Sequence, residues 1–183
     1  MAMTEPSLQI AVVGHTNAGK TSLLRTLTRR ADFGAVSERP GTTRQVEALS
    51  LMVDGAPALR FLDTPGLEDA TALLEHLQGL GEDRQTRIAA FLAGPAARAD
   101  FEQEAKVLRS LLAVDAGLLV IDVRESPLLP KFACEIEILM LCGRPLMPVL
   151  NFVEAVGQQE AGWRGLLASH GLHACVRFDA VAP

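Results

Sequence analysis

The chain has 183 residues, of which 49% are hydrophobic and 21% charged; that is one folded domain with a sizeable core, and it excludes a disordered chain. A net charge of −5 speaks against the chain as a whole binding nucleic acid, and the cluster Arg25, Arg29 and Arg30 reads as the solvated face of a helix. Cys134, Cys142 and Cys175 lack CxxC spacing, so reduced thiols are expected, with neither zinc nor a disulfide framework. The opening MAMTEPS is polar without a basic stretch, and the most apolar run, 111–123, is cut by Asp115 and Asp122; neither a signal peptide nor a transmembrane helix is expected, and a cytoplasmic setting is.

In chain order, residues 8–13 (LQIAVV) form an apolar run that ends in glycine, as a strand buried on both faces would. Residues 20–30 read as a helix with Leu23, Leu24 and Leu27 on one side, and 31–43 as a loop holding Gly34, Pro40 and Gly41. Two strands, 46–53 and 58–62, are joined by Asp54-Gly55, a hairpin signal that makes the first of them antiparallel to its neighbour. Residues 67–113 are a long helical stretch, with Leu67, Ala70, Leu73, Leu74, Leu77 and Leu80 at helical spacing. Gly79, Gly81 and Gly94-Pro95 divide it into about three helices. A strand over 117–123, a helix over 131–141, a strand over 146–150, a helix over 154–169 and a strand over 173–178 complete the chain. Strands alternating with helices predict an α/β layered fold with a mostly parallel sheet. Pro148 stands inside a strand that should be central, so the strand is expected to begin there or to carry a bulge.

Residues 14–22 read GHTNAGKTS, the pattern GxxxxGK[ST] between a predicted strand and a predicted helix. Helix N-termini present unpaired N–H groups and a positive dipole end, both suited to phosphate. Gly14 and Gly19 let the backbone approach a ligand closely. Lys20 places a cation against phosphate oxygens, and the Thr21 hydroxyl is a ligand for Mg²⁺. The loop residues Gly14, His15, Thr16, Asn17, Ala18, Gly19, Lys20, Thr21 and Ser22 are therefore the expected nucleotide cradle. Downstream, Asp63-Thr64-Pro65-Gly66 follows the third strand; Asp63 can hold Mg²⁺ through water, and Gly66 can offer its N–H to a γ-phosphate. A plain turn is the alternative. Pro40-Gly41-Thr42-Thr43-Arg44 lies in the loop before the second strand, where a threonine hydroxyl can complete a Mg²⁺ shell.

GHTNAGKTS, PGTTR and DTPG, in this order and spacing, resemble the TrmE–Era–EngA branch of bacterial GTPases, and the likeness covers nearly the whole chain. It is most similar to a proteobacterial group whose GTPase domain precedes a C-terminal domain of unknown function. The resemblance implies a single GTPase domain over 1–183, a three-layer P-loop NTPase fold, and a six-stranded sheet in the order 2-3-1-4-5-6 with only the second strand antiparallel. It implies that GTP and GDP are the ligands and that Mg²⁺ is the cofactor. Thr43 would be its switch I ligand, Asp63 its water-mediated holder and Lys20, Thr43, Asp63 and Gly66 the catalytic set. Asn17 would help bind a K⁺ beside the phosphates, where it neutralises transition-state charge; a loop residue tolerant of unusual backbone angles is the other reading of Asn17. Leu67 stands where a water-positioning glutamine would be, which the branch also lacks, so unaided hydrolysis is expected to be slow. A C-terminal domain outside this chain, a protein or ribosomal partner, and peripheral membrane attachment through that domain belong to the same expectation.

The likeness weakens at the base. The GTPase motif NKxD is here Asn151-Phe152-Val153-Glu154. Phe152 can stack on one face of the base, Glu154 has the right charge but one methylene more, and Ala180 is left to supply a backbone N–H. Alternatively, Asn151 and Glu154 cap the next helix. The helical stretch over 67–113 is longer than usual in small GTPases. It is either an extra layer on the sheet or a route from switch II to a partner. His15 is expected to be exposed, Trp163 to pack a helix, and Asp122 to be a loop or capping residue. A slow GTP-hydrolysing switch, a non-catalytic nucleotide-binding interaction module and an ATP-using protein are thus the readings to separate.

Overall fold

The computed structural model describes residues 8–29, 45–54, 56–81 and 83–180. In chain order the elements are β1 (Leu8–Val13), α1 (Lys20–Thr28), β2 (Glu47–Val53), β3 (Ala56–Asp63), α2 (Ala70–Gln78), α3 (Arg84–Ala93), a 3₁₀ turn (Ala96–Arg98), α4 (Glu102–Leu112), β4 (Ala116–Asp122), α5 (Pro130–Leu141), β5 (Leu146–Asn151), α6 (Glu160–Ser169) and β6 (Val176–Arg177). The sheet runs β2-β3-β1-β4-β5-β6, with β2 antiparallel to β3 and the other pairs parallel. This is the expected six-stranded order. The hairpin closes at Val53 and Ala56, with Asp54 at φ 51°, the left-handed geometry that a tight primed turn needs.

Side-chain alternation builds the layers. Along β1, Val12 joins a core on one face while Ala11 and Val13 join a larger core on the other. Val120 of β4 and Val149 of β5 face the first core; Leu119, Ile121 and Leu150 face the second. A strand with both faces covered carries an unbroken apolar run, and that is why β1 and β4 read so clearly. The first core is closed by Leu23 and Leu24 of α1. The second is closed by the remaining helices, including Leu73 and Leu77 of α2, Leu108 and Leu111 of α4, and Trp163 of α6. Trp163 is 2% exposed and its Nε1 donates to the Glu125 carbonyl, so it is the packing residue the sequence suggests. The helical stretch after β3 comprises α2, α3 and α4. His76 of α2, Phe91 of α3 and Phe101, the N-cap residue of α4, meet edge-on or tilted with ring centroids 5.7–6.2 Å apart.

Two expectations near the C-terminal end fail for one reason. Pro148 sits inside β5, paired in register with Leu119 and without a bulge. The carbonyls of Pro145 and Asn151 bond toward β4, whereas that of Leu150 bonds to the Phe178 N–H on the β6 side. Backbone groups alternate sides along a strand, so the nitrogen of Pro148 also faces β6. There β6 begins only opposite Val149. The missing N–H costs no ladder bond, and a residue before Val176 has none to accept. The last strand is therefore two residues long and not the expected six. The α6 helix also starts later than expected, at Glu160 and not at 154. Phe152 and Gly157 adopt φ 65° and 78°, which turns the chain out of helical geometry. Pro148→Ala should cost no more than about 1 kcal/mol, through unfolded-chain entropy. Val149→Pro, which removes an N–H aimed at β4, should cost about 2 kcal/mol or more; urea midpoints of the two variants provide the comparison.

Candidate phosphate-binding site

The loop between β1 and α1 is shaped by close backbone approaches. Gly14 has φ 139°, and a Cβ there would run into the Val120 carbonyl. Gly19 has φ 94°, and its Cβ would run into the Asn151 amide. Only glycine meets both demands at these positions. Gly19 caps α1 without any side-chain hydrogen bond, so the first-turn amides stay available to an anion. Lys20 is 7% exposed, and its Nζ donates to the carbonyls of Gly14 at 3.0 Å and His15 at 2.9 Å. The ammonium is thus held over the concave side of the loop. Burial lowers its pKa, against the opposing pull of Glu135 and Asp63.

Asp63 ends β3 in register with Val12 of β1, which brings it beside the start of α1. It is 2% exposed. Its Oδ2 accepts from the Thr21 hydroxyl at 2.7 Å, whereas its Oδ1 is buried and receives no hydrogen bond. Burial raises its pKa, with Thr21 and Lys20 opposing. A hydroxyl and a carboxylate side by side, with one oxygen unsatisfied, form a donor set suited to a hard divalent cation. The following turn is fixed by the Thr64 hydroxyl, which donates to the Val12 carbonyl at 2.7 Å. Gly66 lies against Thr16 so closely that a Cβ would overlap it, and Leu67 N–H points at the Gly14 carbonyl at 3.4 Å. Leu67 itself is fully buried in the larger core. Pro40 to Arg44, with Thr43, lie outside the described residues.

At the other end of the loop, Asn151 is fully buried. Its Nδ2 donates to the Ala18 carbonyl at 2.9 Å, and its Oδ1 accepts from Phe152 N–H at 2.8 Å and Ala180 N–H at 3.0 Å. One carboxamide therefore ties the phosphate loop to the turns after β5 and β6. Asn151 and Glu154 do not cap α6, whose N-cap residue is Gln159. The Glu154 carboxylate lies 3.5 Å from Arg177, with its side chain 67% exposed, and its N–H donates to Asp179 at 2.9 Å. Arg124 stacks on the Phe152 ring at 3.7 Å while gripping Asp122 through two bonds. Asp122 ends β4 and also accepts from Arg124 N–H, so it holds the turn after the strand and caps no helix, α5 having Leu129 as its N-cap residue.

His15 departs from expectation: its side chain is only 21% exposed. Lys131 Nζ lies 3.2 Å from its Nε2, Glu135 Oε2 lies 3.5 Å from its Nδ1, and Phe132 meets its ring edge-on. An ammonium has no acceptor, so in that contact Nε2 is the accepting nitrogen, while Nδ1 and Glu135 Oε2 are both buried without a hydrogen-bond partner. These groups border a cleft of about 400 Å³ between the loop and α5. The sequence carried no sign of them, because Lys131 and Glu135 lie more than a hundred positions from His15 and read as ordinary helix residues. Glu104 of α4 was missed likewise; it accepts from the N–H groups of Glu68 and Asp69, each at 3.2 Å.

A glycine-shaped anion loop, a buried lysine and a carboxylate at the end of the neighbouring parallel strand define the class: a P-loop nucleotide-binding domain. The family model described as 50S ribosome-binding GTPase matches residues 9–151, and the chain belongs to that family. Among curated proteins, it is 37% identical over 91 residues to the tRNA modification GTPase MnmE of Synechococcus elongatus, covering 50% of this chain and 19% of that protein. Against MnmE of Synechococcus sp. (strain CC9605) the identity is 26% over 165 residues, covering 87% of this chain and 31% of that protein. The chain thus spans a third or less of the length of these relatives. Among solved structures, Aquifex aeolicus Era bound to GDP and aluminium fluoride superposes with a TM-score of 0.67 at 20% identity, covering 95% of this chain and 51% of that one. A probable GTP-binding protein engB gives 0.63 at 15% identity, covering 94% and 89%. These superpositions establish the fold.

Asn151→Ala would take the side-chain partner from the buried Ala18 carbonyl and from the part-buried Phe152 and Ala180 N–H groups, in three segments. It is expected to lower unfolding free energy by at least about 2 kcal/mol, read from denaturant midpoints of the nucleotide-free protein.

Proposed function

We propose that the chain is a Mg²⁺-dependent switch that binds GTP and hydrolyses it slowly. The single observation that carries this reading is the convergence of Lys20, Thr21, Asp63 and Gly66 on one loop, in a chain of a GTPase family. Lys20 Nζ exchanges its two carbonyl contacts for β- and γ-phosphate oxygens, and the amides at the start of α1 hold the remaining charge. Thr21, Asp63 and Thr43 would hold Mg²⁺, which when bound neutralises charge on the phosphate oxygens. Gly66 N–H reports the γ-phosphate. Asn17, at φ 65° on the outer rim of the loop, would help hold K⁺ beside the transferred group. Low turnover follows from Leu67: its side chain is buried in the core, so this position orients no attacking water. The expected setting is the cytoplasm, with a protein or ribosomal partner and a further domain outside this chain.

A non-catalytic nucleotide-binding module is the second reading, favoured by the base end. Glu154 pairs with Arg177, Arg124 covers Phe152, and Ala180 N–H is bonded to Asn151. Each must rearrange before it reads guanine. Fluorescent GDP titrated in Mg²⁺ and K⁺, with unlabelled GDP, ADP and XDP as competitors, separates the readings. Efficient competition by GDP alone, with phosphate release from GTP, supports the switch; binding without turnover in either K⁺ or Na⁺ supports the module. Equal competition by ADP removes the guanine assignment. Lys20→Ala should weaken GDP binding by about a hundredfold or more, the value of two charge-assisted bonds. A variant that binds GDP like the wild type would refute the site.

A further inference from the structure

The helical stretch between β3 and β4 is joined to the turn after β3 by a buried carboxylate. Glu104, in the first turn of α4, is 5% exposed, and its Oε1 accepts from both Glu68 N–H and Asp69 N–H at 3.2 Å. Those two residues directly follow Gly66-Leu67. Asp69 is the N-cap of α2, with its own side chain accepting from Ala72 N–H. The carboxylate therefore lies at the positive ends of two helices, its own and α2, which offsets the cost of burying it. A buried acid is an expensive way to satisfy two backbone amides, since water would serve at a surface turn. Here the burial accompanies a second restraint, because Leu67 is inserted into the core that α2 and α4 share. Gly66 is thus held on both sides. Toward the loop it packs on Thr16, and Leu67 N–H bonds to Gly14; away from it, the next two amides are held by α4.

We propose that α4 is a clamp on the segment that senses the γ-phosphate, with Glu104 as its positioning residue. By fixing Glu68 and Asp69, Glu104 keeps Gly66 N–H ordered against the phosphate loop, so the helical stretch sets how strongly GTP is preferred to GDP. A partner that displaces α4 would weaken that preference without touching nucleotide. The inference rests on the switch reading above and adds the group that couples the switch to the helical layer.

The test compares the affinity of the full chain for GDP and for GppNHp in Mg²⁺. Glu104→Ala should weaken GppNHp binding by about tenfold, the value of one hydrogen-bond contact, and leave GDP binding within about twofold. Glu104→Gln keeps the accepting oxygen and should restore the wild-type ratio. Leu108→Ala, a core truncation in the same helix, serves as a stability control and should lower thermal stability while leaving the ratio unchanged. Should Glu104→Ala fail to fold, Glu104→Asp draws the oxygen back by one methylene and should shift the ratio the same way. Equal weakening of both nucleotides, an unchanged ratio in Glu104→Asp, or a ratio shift reproduced by Leu108→Ala would each overturn the clamp. A wild-type chain that binds neither nucleotide would instead sink the switch reading, and the clamp with it.

Discussion

Lys20 and Asp63 are opposite charges withdrawn from water on the floor of one loop, and the surrounding structure answers to that desolvation. Burial pushes the lysine pKa down and the aspartate pKa up, the direction in which each charge becomes harder to keep. Their mutual attraction opposes both shifts without reversing either. The lysine is tied to two carbonyls and the aspartate to one hydroxyl, with one carboxylate oxygen left over. Such an arrangement costs folding free energy, a cost that paired counter-charges at the site would offset. It makes little sense as a device for stability, and it fits the proposed reading, in which a polyphosphate and a metal would supply the missing partners.

The site is tightly packed because glycines at three positions let the backbone come within contact distance of its neighbours. Gly14 lies against β4, Gly19 against Asn151 and Gly66 against Thr16. Each contact links the loop to a different part of the sheet's upper edge, and Asn151 adds a hydrogen-bonded link to the turns after β5 and β6. On the proposed reading, a disturbance at the γ-phosphate would reach Gly66 first and pass onward through Leu67 and Glu104 into the helical layer.

Much of this was legible in the amino-acid sequence, for identifiable reasons. The runs at β1 and β4 carry the double-sided burial of central strands, Asp54-Gly55 announces the hairpin, and GHTNAGKTS announces the loop. These are local signals. What stayed hidden depends on pairing between distant segments. The length of β6 depends on which side of β5 the nitrogen of Pro148 faces, a parity that no local pattern reveals. The enclosure of His15 depends on α5 crossing the loop so that Lys131 and Glu135 come within 3.2 and 3.5 Å of its ring. Glu104 looks like any acidic residue in a first helical turn until α2 is seen to begin beside it.

Leu67 shows how the fold and the chemistry constrain each other. A polar residue there could orient water, but it would have to leave the apolar core in which the side chain is now fully buried. Leucine cannot take that chemical role and instead anchors the turn after β3 to α2 and α4. The helical layer is then more than a cover for the sheet, because it holds the residue next to Gly66 by its side chain and the following two by their amides. If the proposed clamp holds, the turn after β3 is under the control of the helical layer, and catalytic help would have to come from a group that approaches without displacing Leu67. On that reading an open side for such a group is the rim of the loop at Asn17, which is exposed; a cation or a partner's side chain reaching the phosphates from there would leave the buried anchor in place.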